Sequence, residues 1–363
     1  MITSLSTLAA IGLVSGFLIS LIIIYLSAFF FPLRETVTGL QNSHHHATNR
    51  FGGVAICLAV TLVIVCRRRL EIDEFPIEIQ LLFFFSCFAL GVGFLDDVVG
   101  HIRPVIRILL IILVAYYAGA YLGWLEKVNI DILDAYVQNN RVVACAITIF
   151  AVVGLTNSFN LIDGLNGLCG GTTIIIICVL IFLSRILGLH EFVIFYEMLI
   201  FCILGFLICN FPFGKIFLGD GGAYFLGFLV AQSCIFLNSI DGPISSWVFV
   251  LACIYPIWET LFAFSRRLVK RKKWSVADRG HLHQLIYDSM SPAKDEYHSI
   301  KRNAVAASIC LIFPTASGAL CVVFYDHSLA LKVACIGFIS VYLLLYFFLS
   351  KKISKRGVAI MDN

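Results

Sequence analysis

The chain has 363 residues, of which 60% are hydrophobic and only 13% charged, with a mean hydropathy of +0.96 and a formal net charge of +4. A soluble domain is about half apolar and about a quarter charged, so a soluble fold is excluded, and no nucleic-acid partner is expected. The apolar residues fall in runs of about twenty, the length that crosses a bilayer as helix. A β-barrel needs shorter, alternating segments, and unbroken runs such as residues 174–183 do not supply them. The expected fold is therefore all-α, a polytopic transmembrane helix bundle forming one integral-membrane domain over residues 1–363.

In chain order, eleven spanning segments are expected at about 8–31, 51–66, 78–95, 105–122, 142–159, 171–188, 192–210, 221–238, 245–265, 304–324 and 329–350. The first is too long for the apolar core of a signal peptide and lacks a basic segment before it, so it reads as a retained helix. Short Gly-, Pro- and Asn-containing stretches separate the segments, as turn signals should. The 13 cysteines lie mostly inside apolar runs with no CxxC spacing, and read as small packing side chains. The longest polar insertion, residues 266–303, reads as a cytoplasmic substrate loop. No internal repeat is visible, which weakens an inverted-repeat transporter.

Lysine and arginine set the orientation. The side carrying loops 32–50, 96–104, 160–170, 211–220 and 266–303 and the C-terminus has, with the flanking Arg107, nineteen basic residues against seven on the other, so it is expected to be cytoplasmic, with the N-terminus outside. The run Arg67–Arg69 opposes this assignment. All the polar motifs, SHHHATNRFGG, LDDVVG, NSFNLIDGLNG, FLGDGG and ADRGHLH, fall on that one side. Polar and ionisable groups at membrane depth are costly and usually face a site. A transporter of an anionic solute or lipid is the alternative reading, but it predicts polar residues near the bilayer midplane rather than at segment ends.

Asp96 and Asp97 are adjacent carboxylates, which repel unless a cation or a shared proton relieves them; a solvated helix end accommodates them too. Asp163 and Asp220 sit in glycine-rich turns. A glycine turn feeding a helix N-terminus presents N–H groups to an anion, although Asp-Gly is also an ordinary turn. The oxygen-rich set Asp96, Asp97, Asn160, Asp163 and Asp220 suits Mg²⁺, or Mn²⁺, better than zinc. In the long loop, Lys270–Lys273 reads as an orientation signal or a contact with anionic lipid. Arg279 suits bidentate phosphate binding, and His281 and His283 are able to donate to phosphate or to ligate a metal. His44, His45 and His46, beside Arg50, pose the same choice.

Together these motifs resemble the polyprenyl-phosphate N-acetylhexosamine-1-phosphate transferases of glycosyltransferase family 4. That superfamily includes the phospho-N-acetylmuramoyl-pentapeptide translocase and the bacterial GlcNAc-1-phosphate transferases. NSFNLIDGLNGL is similar to the family's NxxNxxDGxxGL signature, GFLDD to its aspartate pair, FLGDGG to its metal-binding loop and ADRGHLH to the last cytoplasmic loop of GlcNAc-type members. The resemblance implies transfer of a sugar-1-phosphate from a UDP-sugar to a polyprenyl phosphate at the cytoplasmic face of a bacterial inner membrane, with release of UMP, dependence on Mg²⁺ and a homodimeric assembly. It implies that Asn160 and Asp220 ligate the metal, that Asp96 acts as base and that Asp97 and Asp163 support it. It also implies substrate contacts for Asn157, Asn166, Arg279, His281, His283, His46, Arg50 and Lys215. Two departures stand out: many members carry Asp where this chain has Asn166, and another His where it has Gln284. The ending of the last loop favours initiators of O-antigen-like glycans, using GlcNAc or 6-deoxy N-acetylsugars, over the muramoyl-pentapeptide translocase.

Overall fold

A computed structural model describes residues 2–30, 48–70, 73–100, 102–269, 280–290 and 295–355. His44, His45, His46, Lys270–Lys273 and Arg279 lie outside the described residues. In chain order the helices are α1 (Ile2–Phe30), α2 (Gly52–Arg69), α3 (Ile77–Val99), α4 (Pro104–Leu122), α5 (Asp131–Asn139), α6 (Arg141–Ile162) and α7 (Leu168–Ile186). They continue as α8 (His190–Asn210), α9 (Gly219–Ser239), α10 (Trp247–Ala252), α11 (Ile254–Val269), α12 (Leu282–Ser289), α13 (Glu296–Phe324) and α14 (Ser328–Lys355). No strand occurs among the described residues, so the all-α polytopic reading holds.

Nine of the described helices are long and apolar enough to cross a membrane. Two of the eleven expected segments differ from that pattern. Helix α2 is 18 residues long and ends in Arg67, Arg68 and Arg69. The segment expected at 245–265 is two helices, α10 and α11, broken at Cys253, with Pro256 buried just beyond. Proline has no N–H for a helical ladder and clashes with the preceding turn, which accounts for a break that hydropathy does not register. The long loop carries structure of its own: α11 runs on to Val269, α12 occupies its middle and α13 begins at Glu296.

Helix α9 is the axis of the bundle. Nearly every residue from Gly219 to Asn238 is buried, and α2, α3, α6 and α7 pack around it. A helix enclosed by protein does not need the most apolar composition, and α9 accordingly carries buried Gln232, Ser233 and Asn238. Its first turn sits unusually close to its neighbours. A Cβ on Gly53 of α2 would collide with the backbone of Gly222, and one on Gly93 of α3 with the backbone of Asp220. Small residues let helices approach in lipid, where packing rather than water exclusion drives association. Helix α1 uses Gly16 in the same way against Cys202 and Gly205 of α8.

The helix ends nearest these contacts are well specified. Gly100, at φ 77°, closes α3 by donating its N–H to the Asp96 carbonyl at 2.7 Å, the left-handed glycine stop. Pro104 then opens α4, a position where its missing N–H costs nothing. Gly167, at φ 79°, ends the turn after α6 and starts α7, and Gly219, also at φ 79°, starts α9.

Candidate active site

The ends of α3, α6 and α9 and the start of α4 meet at one end of the bundle and bring four carboxyl groups together. Asp97, in the last turn of α3, caps α9 from outside: its Oδ1 accepts from the Asp220 N–H at 3.1 Å and its Oδ2 from the Gly221 N–H at 2.9 Å. The first N–H groups of a helix have no partner in their own helix, and here a carboxylate from another helix supplies one. That contact orients Asp220. The Asp220 side chain hydrogen-bonds Asn160, near the C-terminus of α6.

Arg107, in the first turns of α4, bridges two of the acids. Its Nη1 donates to Asp96 Oδ2 at 2.6 Å and to Asp220 Oδ2 at 2.7 Å. The second Asp96 oxygen accepts from the Ile102 N–H at 3.0 Å. In the sequence Arg107 reads only as an orientation charge. Its position eleven residues after Asp96, across a Gly/Pro turn that folds α4 back on α3, was the signal that it belongs to the site.

Asp163 follows α6 directly and completes the group. Burial lifts its carboxyl well above the ordinary range, and the charges of Asp220 and Asp97 push the same way; Arg50 and a hydrogen bond from the Gly219 backbone oppose them. Excess negative charge thus gathers here in a low-dielectric setting, the condition in which a divalent cation is most strongly favoured. Among the described residues, no three or more His, Cys, Asp or Glu side chains are drawn around one point as a metal cage. Mg²⁺ seldom uses such a cage, taking one or two protein oxygens plus phosphate and water. The donor set fits that description, being entirely hard oxygen, and the Arg107 guanidinium already occupies a cation's place between Asp96 and Asp220.

The other predicted residues fall into distinct places. Arg50 is exposed, and its segment pairs with the loop before α9: Gly52 N–H donates to the Phe217 carbonyl and Gly53 N–H to Leu218, both at 2.9 Å. Asn157 is committed internally, donating to the Val153 carbonyl and accepting from the Tyr224 hydroxyl at 3.0 Å. Asn166 is buried; its amide donates to the Pro212 carbonyl at 3.1 Å and its N–H to Asn303 Oδ1 at 3.0 Å. Asn210 takes the next N–H, that of Gly167, at 2.7 Å. Asn166 and Gly167 together therefore lock the turn after Asp163 to α8, the segment just beyond it and α13. Lys215 is exposed, its ammonium 5.7 Å from the Phe213 ring.

The long loop returns to this turn through α12. His281 and His283 are both buried, and their rings lie parallel with centroids 5.5 Å apart. The His283 Nε2 presses on Gly164, the neighbour of Asp163. Burial lowers the His283 pKa to about 4, with His281 adding to the effect and Glu259 opposing it, so its ring is neutral near pH 7. Gln284 reaches back to the His281 N–H at 3.4 Å and caps α12.

The model for glycosyl transferase family 4 matches residues 79–238, from α3 to α9, and so includes Asp96, Asp97, Asn160, Asp163 and Asp220. Over 146 residues the chain is 33% identical to a probable undecaprenyl-phosphate N-acetylglucosaminyl 1-phosphate transferase of Bacillus subtilis, covering 39% of this chain and 40% of that one. It is 34% identical over 135 residues to an undecaprenyl-phosphate alpha-N-acetylglucosaminyl 1-phosphate transferase of Thermotoga maritima, again covering 40% of the relative. In both cases the match spans about two fifths of the relative's length. A phospho-N-acetylmuramoyl-pentapeptide-transferase of a Geobacillus species is 28% identical over 302 residues, covering 78% of this chain and 91% of the relative.

Proposed function

The chain belongs to the polyprenyl-phosphate sugar-1-phosphate transferase superfamily, and from that premise we propose that it transfers an N-acetylhexosamine-1-phosphate from a UDP-sugar to undecaprenyl phosphate. The observation that carries the reading is the convergence of Asp96, Asp97, Asp163, Asp220, Asn160 and Arg107 at the ends of four helices. The reaction makes one phosphorus–oxygen bond, from the lipid phosphate to the sugar-linked phosphorus. It breaks the bond from that phosphorus to UMP, which leaves with the bonding electrons. In phosphoryl transfer, positioning and charge stabilisation supply nearly all of the catalysis.

Mg²⁺, or Mn²⁺ in its place, would be held by Asn160 and Asp220 and, when bound, offsets charge on the diphosphate and on the departing phosphate. Asp97 sets the direction of Asp220 through the first turn of α9. Arg107, which bridges Asp96 and Asp220, would offer its guanidinium to the incoming lipid phosphate. A phosphate monoester has its second ionisation near pH 6, so about a tenth still carries a proton at pH 7; Asp96 accepts that proton. Both Asp97 oxygens and both Asp96 oxygens already accept N–H donors, which favours direct attack by lipid phosphate over a covalent aspartyl intermediate. Arg279, His281, His283 and Lys215 are assigned to the nucleotide-sugar phosphates, and His46 and Arg50 to the lipid-phosphate entrance.

Exposed Leu95, Val98, Val99, Val105 and Ile106 flank Asp96 and Arg107. An isoprenoid phosphate would reach the acids there with its tail still in hydrocarbon. Side chains at helix ends rather than mid-helix support chemistry at a membrane face over transport through the bilayer. The proposed setting is the bacterial inner membrane with the site facing the cytoplasm, where the product starts a lipid-linked surface glycan such as O-antigen. The test is purified protein with Mg²⁺, undecaprenyl phosphate and a panel of UDP-N-acetylhexosamines. Lipid-linked product is expected with at least one sugar, and Asp220→Ala and Asp96→Asn are expected to abolish it. Wild-type turnover in either variant removes the role assigned to that residue.

A further inference from the structure

Glu259 lies inside α11 and is 1% exposed. Tyr255, Cys310 and Tyr342 surround it, so its carboxyl group sits in a largely apolar pocket. An acid in such a place is costly and needs a specific partner. Besides the Tyr342 hydroxyl, its partners lie 22 and 23 residues along the chain, across a loop that does not belong to its own helix. Oε2 stands 3.2 Å from His281 Nδ1, and Oε1 accepts the Leu282 N–H at 3.1 Å.

These two contacts tie α12 to the bundle at its first turn. A carboxylate facing Nδ1 makes that nitrogen the N–H donor and fixes which way the ring is turned. The parallel stack then carries the alignment of His281 to His283, and His283 Nε2 rests on Gly164 beside Asp163. Among the described residues the buried His283 Nδ1 has no hydrogen-bond partner. One buried acid in α11 thus sets where two histidines of the long loop stand relative to the acidic cluster.

We propose that Glu259 is a positioning residue: it fixes the tautomer of His281 and the seat of α12, and through them the binding of the nucleotide-sugar diphosphate by the HxH pair. The nucleotide-sugar part of this inference rests on the function proposed above. The seating of α12 does not, and it is measurable without substrate.

The test compares Glu259→Gln and Glu259→Asp with wild-type protein in three measurements. Hydrogen exchange of residues 280–290 is read in the metal-free, substrate-free protein. In Glu259→Gln, exchange there should rise about tenfold to a hundredfold, the worth of one hydrogen bond to a buried charged acceptor, while α9 keeps its protection. The ¹⁵N shifts of the His281 ring should report Nδ1–H in the wild type and lose that preference in Glu259→Gln. The KM for the UDP-sugar should rise by about the same factor with the KM for undecaprenyl phosphate unchanged, and Glu259→Asp, which keeps the carboxylate, should recover part of the loss. Unchanged exchange at 280–290, or equal increases in both KM values with general loss of protection, overturns the proposal. If the wild type turns over no UDP-sugar, the functional reading falls, and the exchange and ¹⁵N data still decide whether Glu259 seats α12.

Discussion

Replacing Asp97 with asparagine separates the two things a carboxylate does at this site. The wild-type side chain accepts two backbone N–H groups, from Asp220 at 3.1 Å and Gly221 at 2.9 Å. An amide of the same shape keeps one acceptor and turns an NH2 group toward the other donor. A hydrogen bond to a charged group contributes about 1.5–3 kcal/mol, and a buried donor left unsatisfied costs about 1–3 kcal/mol. Removing one negative charge relieves repulsion with Asp220 and offsets part of that loss. The net expectation is about 3 kcal/mol, felt where Asp220 is aimed and therefore worth about a hundredfold in kcat/KM. The assay pairs turnover with hydrogen exchange of residues 219–223 in substrate-free protein. Both should change together. A hundredfold loss of turnover with wild-type exchange in the first turn of α9 would show that Asp97 acts on substrate directly and refute its role as a cap.

Three further outcomes follow from the same geometry. Asp163 holds its proton to a higher pH than an ordinary carboxyl because it is buried beside Asp220 and Asp97. A cation favours its ionised form, so Mg²⁺ binding near neutral pH should release protons, seen as calorimetric heats that depend on buffer ionisation; in metal-free protein the same shift means stability falls as pH rises from the unfolded carboxyl value through the folded one. Arg107→Met leaves Asp96 and Asp220 without their shared cation, and should cost the metal-free protein about 3 kcal/mol. Millimolar Mg²⁺ should restore part of that in chemical denaturation, and equal stability to wild type without metal contradicts it. Gly164→Ala places a Cβ against His283 Nε2; overpacking of this kind costs about 1–3 kcal/mol, and a raised KM for UDP-sugar with an unchanged KM for lipid phosphate is the expected kinetic sign.

The aspartates were legible in the sequence because a greasy chain makes every acid conspicuous. Asp96, Asp97, Asp163 and Asp220 stand at the ends of apolar runs, and their meeting followed from all those ends lying on one side. Arg107 was not legible in the same way, because a basic residue at a helix end is what membrane orientation alone requires. Only the fold-back of α4 onto α3 shows that its guanidinium lies between two of the acids. Glu259 went unnoticed since its partners are 22 and 23 residues away, beyond helical spacing. The break at Cys253 escaped a hydropathy reading because both halves are apolar. Asn166 reads in sequence as a variable polar contact, whereas its burial and its links to Pro212 and Asn303 make it a brace for the Asp163 turn.

In the proposed reaction these acids serve attack on the sugar-linked phosphorus. Its most direct measurement uses UDP-N-acetylglucosamine, and the other UDP-N-acetylhexosamines in turn, carrying ³²P at the β-phosphorus. The protein is supplied with undecaprenyl phosphate and Mg²⁺. Label should pass into the lipid fraction as UMP appears in equal amount, and chelation of the metal should stop both. Label leaving as UDP, or remaining in intact UDP-sugar with every member of the panel, would contradict it.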